Sequence, residues 1–478
     1  MSFALSKNIS PTKVFLVCSS KLEQRWDPNY YRWMKVFRAR VKNSQYPIER
    51  LKPSLALVQY GISERATGEP VGVPMLRMIN LQSDTWHISD MKYIAMSDDE
   101  KKPYLLRQND ILFNRTNSKE LVGKCCVFNL PGEYVFASYL IRVRLKQSEL
   151  LPDYVTAYLA SSLGRIQIDA VSRQIAGMTN INAEEIRDLL IPVPSRAVQE
   201  RVAASWQEAI VRRDEMLASA RSLLRRVDNM VLEELGINLT VTSPISIKAR
   251  IFTTSLREVS GGRLDPEMVL FLRTERSCKY PTRRLAEFFS EPPQYGAGER
   301  GLDRETRQEP RYIRITDIDE FGRLSRDVGA TATTVEKRYI LRDGDLLVAR
   351  SGNTVGKAYL HNAELQPYVC FYAGYLIRLR FDPARIEPEF VFAITQSSYY
   401  KTWVSAVQRS AGQPNINAEE YSGFQIPVPP KTVQRAIVTK MQSVRAEAEE
   451  LQQRAFAEFE KAKKAIEALI LGQEGSVA

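Results

Sequence analysis

The sequence predicts an α+β protein in which two related mixed α/β domains are separated by an antiparallel coiled coil of two long helices. The first observation is an internal repeat, because "GMTNINAEEIRDLLIPVPSRAVQ" at residues 177–199 returns as "GQPNINAEEYSGFQIPVPPKTVQ" at residues 412–434. The second is that each copy leads into a long stretch without proline or glycine. A repeat of about half the chain is a whole domain with its connector, so we expect the halves to be related by a pseudo-twofold axis.

The repeat extends well beyond that block. "LLRQNDILFNR" at residues 105–115 corresponds to "ILRDGDLLVAR" at 340–350, and "QYGISER" at 59–65 corresponds to "QYGAGER" at 294–300. The duplication therefore covers nearly the whole chain. The predicted segments, in order, are a first domain at 1–195, a first long helix at 196–236, a second domain with its linker at 237–429, a second long helix at 430–472 and a tail at 473–478.

The first domain combines strand and helix signals. Short apolar runs such as "DILFNR" and "EYVFASYLIRVRL" alternate with loops rich in turn residues, which is typical of strands. A helical pattern follows near "PDYVTAYLASSLGRIQIDAV". The second domain repeats this plan, so each domain is predicted to be mixed α/β.

The first long helix carries a wide apolar stripe. Apolar residues recur every seven positions in three adjacent columns, and the stripe is broken mainly at Arg213. Within this stripe, the residues predicted to form the coiled-coil seam are Ala209, Met216, Leu223, Val227 and Met230.

The second long helix is predicted at Lys431–Leu471 and ends at Gly472, a usual helix-stopping residue. Its apolar residues follow the alternating three and four spacing of a coiled coil. The seam residues predicted here are Ile437, Met441, Val444, Leu451 and Leu469.

The two helices, each about 60 Å long at 1.5 Å per residue, are predicted to pair with each other. Neither can bury its stripe alone, and a pseudo-twofold axis makes the pair antiparallel. This arrangement places the two domains at opposite ends of a rod. The alternative is that each helix folds back on its own domain.

The junctions between domains and helices predict a rigid connection. Asn182 and Asn417 occupy N-cap positions, and each is followed by Ala-Glu-Glu, whose carboxylates favour the positive end of a helix. The "IPVP" segments at 191–194 and 426–429 cannot continue a helix and should run extended.

Composition favours a soluble, intracellular, globular protein. Hydrophobic residues make up 44% and charged residues 26%, and no apolar run approaches the roughly 18 residues that span a bilayer. The N-terminus has no secretion signal, and the five cysteines show neither metal-ligand nor disulfide spacing. We therefore expect no membrane association and reduced thiols.

The net charge of +11 and the pI near 9.3 suggest a polyanionic partner. The excess lies in residues 1–250, with 35 basic and 26 acidic side chains, whereas residues 251–478 carry 32 and 30. Residues 1–50 mix ten basic side chains with several aromatic ones. Such a segment is equally consistent with nucleic-acid binding and with the outer face of an amphipathic helix.

Two glycine-containing motifs resemble nucleotide-binding sites, but neither fits the full pattern. Gly296, Gly298 and Gly301 match GxGxxG, but no buried strand precedes them and no convincing helix follows, so a tight surface loop is predicted. "SGNTVGKA" at 351–358 is one residue too short for a phosphate loop and ends in alanine where magnesium binding needs serine or threonine. The two histidines do not occupy equivalent positions. We therefore predict no catalytic or metal site in this chain.

Polar, basic loops at matched places are the candidate DNA contacts. "RTNSKELVGK" at 115–124 corresponds to "RSGNTVGK" at 350–357, and "SRQIAGMTN" at 172–180 corresponds to "QRSAGQPN" at 408–415. Such side chains can contact base edges or phosphates, although similar loops are often only solvated turns. The candidate residues are Arg115, Asn117, Lys119, Lys124, Arg173, Gln174, Arg350, Asn353, Lys357, Arg409 and Gln413.

The order of domain, long helix, domain and long helix, with the "G..NI...E...IPVP...Q" junction present twice, resembles the DNA-specificity subunit of type I restriction-modification enzymes. The resemblance implies that each domain is a target recognition domain for one half of a split double-stranded DNA sequence. It implies that the helices space the halves and dock two modification subunits, and that the chain itself is not an enzyme. S-adenosylmethionine-dependent adenine methylation would belong to the modification subunits, and ATP-driven, Mg-dependent translocation and cleavage to restriction subunits, as in phage defence.

The resemblance leads to a ruler model in which the rod fixes the distance between the two readings. Half-sites about one helical turn apart lie about 34 Å apart on one face of DNA. A four-residue insertion within Arg221–Val231 should then lengthen the unread spacer. Two alternatives remain: an adaptor of a related methylation-based defence system, and a protein-binding scaffold without a DNA role, which the nearly neutral second half favours.

Overall fold

The computed structural model describes residues 26–82, 85–118, 121–146, 149–175, 178–239, 253, 276–325, 328–352, 354–408 and 414–473. Two compact units are present. Unit 1 contains the described residues up to Met216 together with those from Gln453 onward, and unit 2 is Leu217–Gln452. Each unit combines a mixed α/β domain with one part of each long helix, which confirms the predicted fold class.

In the described part of unit 1, one helix precedes a series of short strands, and further helices follow. Its helices are α1 Pro28–Val41, α2 Asp98–Lys101, α3 Pro152–Ala160, α4 Ser162–Val171, α5 Ala183–Arg187 and the first part of α6 Arg196–Leu235, together with the end of the second long helix, from Gln453 onward. Its strands are β1 Ile48–Arg50, β2 Leu55–Tyr60, β3 Val73–Leu76, β4 Leu81–Gln82, β5 Thr85–Trp86, β6 Lys92–Ile94, β7 Ile111–Asn114, β8 Thr116–Asn117, β9 Cys125–Val127, β10 Val135–Phe136, β11 Leu140–Leu145, β12 Arg173–Ile175, β13 Met178–Asn180 and β14 Leu190–Pro192.

The central sheet of unit 1 has the antiparallel order β2-β11-β7-β9. All four residues of β7 are buried because the sheet is covered on both faces, which explains its continuous apolar run. One face packs against the tyrosine-rich α3, with Tyr154 and Tyr158 fully buried. The other contributes to a smaller cluster around Phe128 and Phe136. The sheet thus holds the strand ends from which the polar loops leave.

Unit 2 repeats this architecture. Its strands are β15 Asn238–Leu239, β16 Arg276–Ser277, β17 Thr282–Arg284, β18 Phe289–Tyr295, β19 Leu302–Asp303, β20 Arg311–Ile313, β21 Ala330–Thr331, β22 Leu346–Ala349, β23 Ala358–Leu360, β24 Cys370–Tyr372, β25 Leu376–Phe381 and β26 Gln425–Pro427. Its helices are α7 Pro388–Thr395, α8 Ser398–Val407, α9 Ala418–Ser422, and parts of α6 and α10 Lys431–Leu471.

The central sheet of unit 2, β18-β25-β22-β23, has the strand order of β2-β11-β7-β9 in unit 1. Strand β18 contains Pro292 and Pro293, which cannot donate to a ladder. It tolerates them because it is an edge strand whose register shifts on both sides of Glu291. The segment before Gly296 is therefore a strand, but a half-exposed one.

The two junctions adopt the predicted caps. The side chain of Asn182 accepts a hydrogen bond from the Glu185 amide at 2.9 Å, and the Glu185 carboxylate accepts one from the Asn182 amide. Asn417 and Glu420 form the same capping box at the start of α9. The "IPVP" segments run extended as predicted, since β14 pairs with β1 and β26 pairs with β17.

The long helices pair with each other within each unit. In unit 1 the rings of Trp206 and Phe459 lie 5.5 Å apart. In unit 2 Glu234, near the end of α6, forms an ion pair with Lys440 near the start of α10, whereas Leu224 clusters with Ala448 further along α10. The later residue of α6 contacts the earlier residue of α10, and the earlier residue of α6 contacts the later one. The two helices are therefore antiparallel. Helix α10 ends at Gly472, which adopts a left-handed conformation with φ 72°.

Most of the deeply buried residues of α6 belong to the two apolar columns other than the one that holds most of the predicted seam. Buried positions include Trp206, Ile210, Ala220, Leu224 and Val231. Of the predicted seam, Val227, Ile437 and Met441 are buried, whereas Ala209, Met216, Leu223, Met230, Val444, Leu451 and Leu469 are partly exposed.

Part of this exposure comes from an open groove of about 240 Å³ between the helices in unit 1, which Ala209, Met216 and Leu469 line. Arg213, predicted to interrupt the stripe, is only 6% exposed and lies 4.6 Å from the centre of the Phe459 ring. In the part of the chain that the structure describes, no helix combines the length and apolarity of a membrane span.

Candidate nucleic-acid interface

The two polar loops of each domain come together at one surface. In unit 1, β8 of the loop after β7 pairs with β13 of the loop before α5, and the Thr116 hydroxyl donates to the Asn180 side chain. In unit 2, Ser351 bridges to Asn415, and the Gly352 amide donates to the Pro414 carbonyl at 3.1 Å. Segments more than 50 residues apart in sequence therefore form one continuous surface, at equivalent places in both units.

An arginine stacked on a tyrosine lies at this surface in unit 1. The guanidinium carbon of Arg115, the residue after β7, lies 5.0 Å from the centre of the Tyr60 ring. The Tyr60 hydroxyl accepts a hydrogen bond from the Ala183 amide, at the start of α5, at 3.0 Å. The Arg115 amide donates to the Tyr139 carbonyl at 3.1 Å, which places a second tyrosine beside the arginine.

Unit 2 contains the same constellation. The guanidinium carbon of Arg350 lies 4.9 Å from the centre of the Tyr295 ring, and the Tyr295 hydroxyl accepts from the Ala418 amide at 3.2 Å. The Arg350 amide donates to the Tyr375 carbonyl at 3.0 Å. We refer to Tyr60 with Arg115, and Tyr295 with Arg350, as the Tyr–Arg pairs.

The Tyr–Arg pairs are chemically suited to a polyanion. Tyr60 and Tyr295 are each 40% exposed, and the flanking Tyr139 and Tyr375 are 50% and 64% exposed. Exposed aromatic rings beside a cation can contact phosphates and stack on nucleotides. Sequence reasoning had identified the arginines but missed the tyrosines, although both occur in repeated motifs, "QYG" and "YLIR".

A glycine after each stacked tyrosine permits the backbone crossing that holds the pair. A Cβ at Gly61 would lie 2.3 Å from the Phe136 carbonyl oxygen, and one at Gly296 would lie 2.3 Å from the Ala373 carbonyl oxygen. Gly296 also begins the GxGxxG match. A strand, β19, follows Gly301 instead of a helix, so this motif serves close backbone approach and not dinucleotide binding.

The other predicted contact residues differ in availability. Arg173 is exposed and forms an ion pair with Glu185 at 3.3 Å, whereas Asn117 donates to the sulfur of Met78 at 3.4 Å. The half-buried Lys357 donates to the Ile318 carbonyl at 2.9 Å, which ties it to the domain.

Lys124 is half-buried beside the start of β9, and Gln174 belongs to β12, where its side chain is outside the description. The remaining predicted residues lie outside the described residues: Lys119, Asn353, Arg409 and Gln413.

A buried ion-pair network supports the strands that carry these residues. Asp110, at the start of β7, accepts from Arg144 of β11 at 2.6 and 2.7 Å. The neighbouring Arg142 donates to the Leu105 and Pro103 carbonyls, each at 2.7 Å, and burial lowers the pKa of its guanidinium. Unit 2 contains the equivalent network around Asp345 and Arg380. These contacts fix the ends of the strands from which Arg115 and Arg350 project.

Comparison with known proteins connects this architecture to one family. Residues 312–458 match the type I restriction modification DNA specificity domain. The chain is 21% identical over 390 residues to the type I restriction enzyme StySPI specificity subunit of Salmonella potsdam, covering 80% of this chain and 77% of that protein. It is 24% identical over 179 residues to the EcoKI specificity subunit of Escherichia coli strain K12, covering 37% and 38%.

A chain from a solved type I restriction-modification system aligns with a TM-score of 0.46 at 14% identity, covering 90% of this chain and 98% of that one. The match of the specificity domain falls on the second copy of the repeat and on α10, and the first copy has the same strand order and the same surface. Residues 312–458 thus resemble the type I restriction modification DNA specificity domain, and most of the chain is similar to a type I specificity subunit.

Proposed function

We propose that each domain of this chain reads one half of a bipartite double-stranded DNA target and that the long helices set the unread spacer between the halves. The observation that carries the proposal is the duplicated surface, on which two loops, an arginine and two tyrosines occupy equivalent positions in both units. Helices α6 and α10 each contribute residues to both units. They therefore connect the two domains that would each read one half-site.

In this proposal the chain recognises DNA and its partners carry out the chemistry. Two modification subunits would bind S-adenosylmethionine and methylate adenine, and restriction subunits would use ATP and Mg²⁺ for translocation and cleavage in the prokaryotic cytoplasm. The open groove on the paired helices of unit 1 offers an apolar docking surface for a partner. Met216→Glu, which places a charge in that groove, should reduce co-purification of the modification subunits.

Two exchangeable modules follow from the repeat. We propose residues 1–195 and 237–429 as the two target recognition domains, with 196–236 and 430–472 as the spacer helices. The net charge of +11 adds a salt-dependent component to DNA affinity, because phosphate binding releases counterions.

Methylome sequencing of cells that express the chain with its partner subunits tests this function. The expected motif has two short specified halves around an unspecified spacer. Replacing Asn117 and Ser118 should change only one half of that motif, and replacing Gly352 and Asn353 should change only the other. A continuous motif, or a change in both halves from one replacement, would contradict the assignment. Absence of sequence-dependent methylation would favour the protein-binding scaffold.

A further inference from the structure

We propose that the two Tyr–Arg pairs grip the DNA backbone without regard to sequence, and that base reading belongs to the loop residues that differ between the units. This inference rests on the proposed function, because it divides one surface into two roles. The pairs and their flanking tyrosines are Tyr60, Arg115, Tyr139, Tyr295, Arg350 and Tyr375.

The two units share the Tyr–Arg pairs but differ in the loop residues that follow them. Two surfaces that read different half-sites cannot use identical contacts to tell the bases apart, whereas every half-site presents the same phosphates and sugars. The stacked pair has the same geometry in both units, with 5.0 Å and 4.9 Å between guanidinium carbon and ring centre. Directly after the arginine the loops diverge, since Thr116–Ser118 stands where the second unit has Ser351–Gly352. The shared residues therefore suit the shared part of the ligand.

The arginine of each pair is stacked on a tyrosine ring. Among the described residues, no carboxylate pairs with Arg115 or Arg350, and the Nε of each is buried without a hydrogen-bond partner. By contrast, Arg144 and Arg380, on the adjacent strands, are bound to buried aspartates. An arginine that is held on a ring and has no carboxylate partner in the described part of the chain is ready to bind an anion. Its planar fork matches the oxygens of a phosphate.

The tyrosine of each pair is itself fixed by a hydrogen bond from the backbone. The backbone amides of Ala183 and Ala418 donate to the hydroxyls of Tyr60 and Tyr295 and hold these rings in place. Because each hydroxyl acts as the acceptor in this bond, its own proton remains available to a phosphate oxygen. The fixed ring also limits the rotamers of the arginine above it, so less entropy is lost when the guanidinium binds. Each pair is thus a preorganised phosphate contact.

The test uses the full-length chain in complex with its modification subunits. Arg115→Ala, Arg350→Ala and the double variant are titrated with the target duplex and with a shuffled duplex of equal length, over a series of salt concentrations. Each single variant should weaken binding to both duplexes by roughly tenfold and reduce the slope of log K against log salt by about one. The ratio of the two affinities, and the methylated motif in cells, should stay as in the wild type.

Matched controls remove the same charge elsewhere. Arg50 pairs with Asp188 and Arg283 pairs with Glu287 at exposed sites of unit 1 and unit 2. Arg50→Ala and Arg283→Ala should leave the salt slope unchanged, which excludes an effect of net charge alone. If Arg115→Ala does not fold, Arg115→Lys decides the question, because it keeps the charge and should keep the salt slope while losing part of the affinity.

The outcomes separate the inference from the proposed function. A folded Arg115→Ala complex with wild-type affinity would overturn the inference, as would a motif in which one base position becomes degenerate. The second result would assign base reading to the pair. A wild-type complex that binds the target and shuffled duplexes equally would instead contradict the proposed function itself.

Discussion

Asp345 accepts hydrogen bonds from both Nε and Nη2 of Arg380, at 2.6 and 2.7 Å, inside the central sheet of unit 2. The same carboxylate accepts from the Arg342 amide at 2.7 Å and so closes the turn that leads into β22. Asp110 and Arg144 repeat this arrangement in unit 1. Both aspartates are fully buried, and the hydrogen bond to Asp345 raises the pKa of Arg380. The pair locks together β22, which leads to Arg350, and β25, which follows Tyr375.

Asp345→Ala should destabilise unit 2 by about 3 to 5 kcal/mol, because it leaves the Arg380 guanidinium without its main counterion in a buried site. Urea unfolding of the full-length chain measures the change. The exposed pair of Glu336 and Arg338 provides the control, since water screens this pair and Glu336→Ala should change stability very little. Equal effects of the two substitutions would show that the buried pair contributes no special stability.

Gly296→Ala should destabilise the chain by about 1 to 3 kcal/mol, whereas Gly298→Ala should have almost no effect. A Cβ at Gly296 would lie 2.3 Å from the Ala373 carbonyl oxygen and 2.5 Å from that of Tyr372, which forces the backbone apart. A Cβ at Gly298 meets nothing within 4 Å. Thermal unfolding distinguishes the two variants. Similar melting temperatures would contradict the role of Gly296 as a crossing point.

His361 should make stability decrease as the pH falls below about 6.5. It is only 4% exposed, and burial lowers the pKa of its imidazole. Because the unfolded chain takes up this proton at a higher pH than the folded chain, protonation favours unfolding between the two pKa values. The contribution of the neutral histidine is present above pH 6.5 and is lost as the pH falls through the folded pKa.

The measurement for His361 is urea unfolding between about pH 7.5 and pH 5. His361→Gln should flatten the pH dependence in this window. His87→Gln, at an exposed histidine, should retain it. If the free energy of unfolding of the His361 variant depended on pH as in the wild type, the pH dependence would belong to other groups.

The architecture was predictable from the sequence because its signals are local and repeated. The 235-residue repeat, the uninterrupted Lys431–Leu471 segment and the Asn182 and Asn417 caps each act within a few turns of the chain. Helix α10 has the bounds that were predicted, and both capping boxes form. Propensity and periodicity are most informative for long segments of this kind.

The details of the surface and seam were less predictable because they depend on contacts between distant segments. Tyr60 meets Arg115 only after β2 and β7 join the same sheet, and no local pattern encodes that meeting. Helix α6 has three adjacent columns of apolar residues. The sequence alone could not decide which of them would face the partner helix. Arg142 and Arg144 alternate with apolar residues as exposed strand residues would, yet Arg142 is 3% exposed.

The most direct test of the account is a matched insertion at the two points where the long helices pass between the units. Four helix-forming residues are inserted between Met216 and Leu217 and four between Gln452 and Gln453, so that the contacts within each unit are retained. Four residues add about 6 Å to each helix, which corresponds to between one and two base pairs of DNA. A control chain carries four substitutions at each point without a change in length.

Methylome sequencing of cells with this insertion should give the two wild-type half-sites separated by a spacer that is one or two base pairs longer. The control chain should give the wild-type motif. An unchanged spacer, or altered half-sites at the original spacing, would contradict the claim that the paired helices measure the distance between two readings.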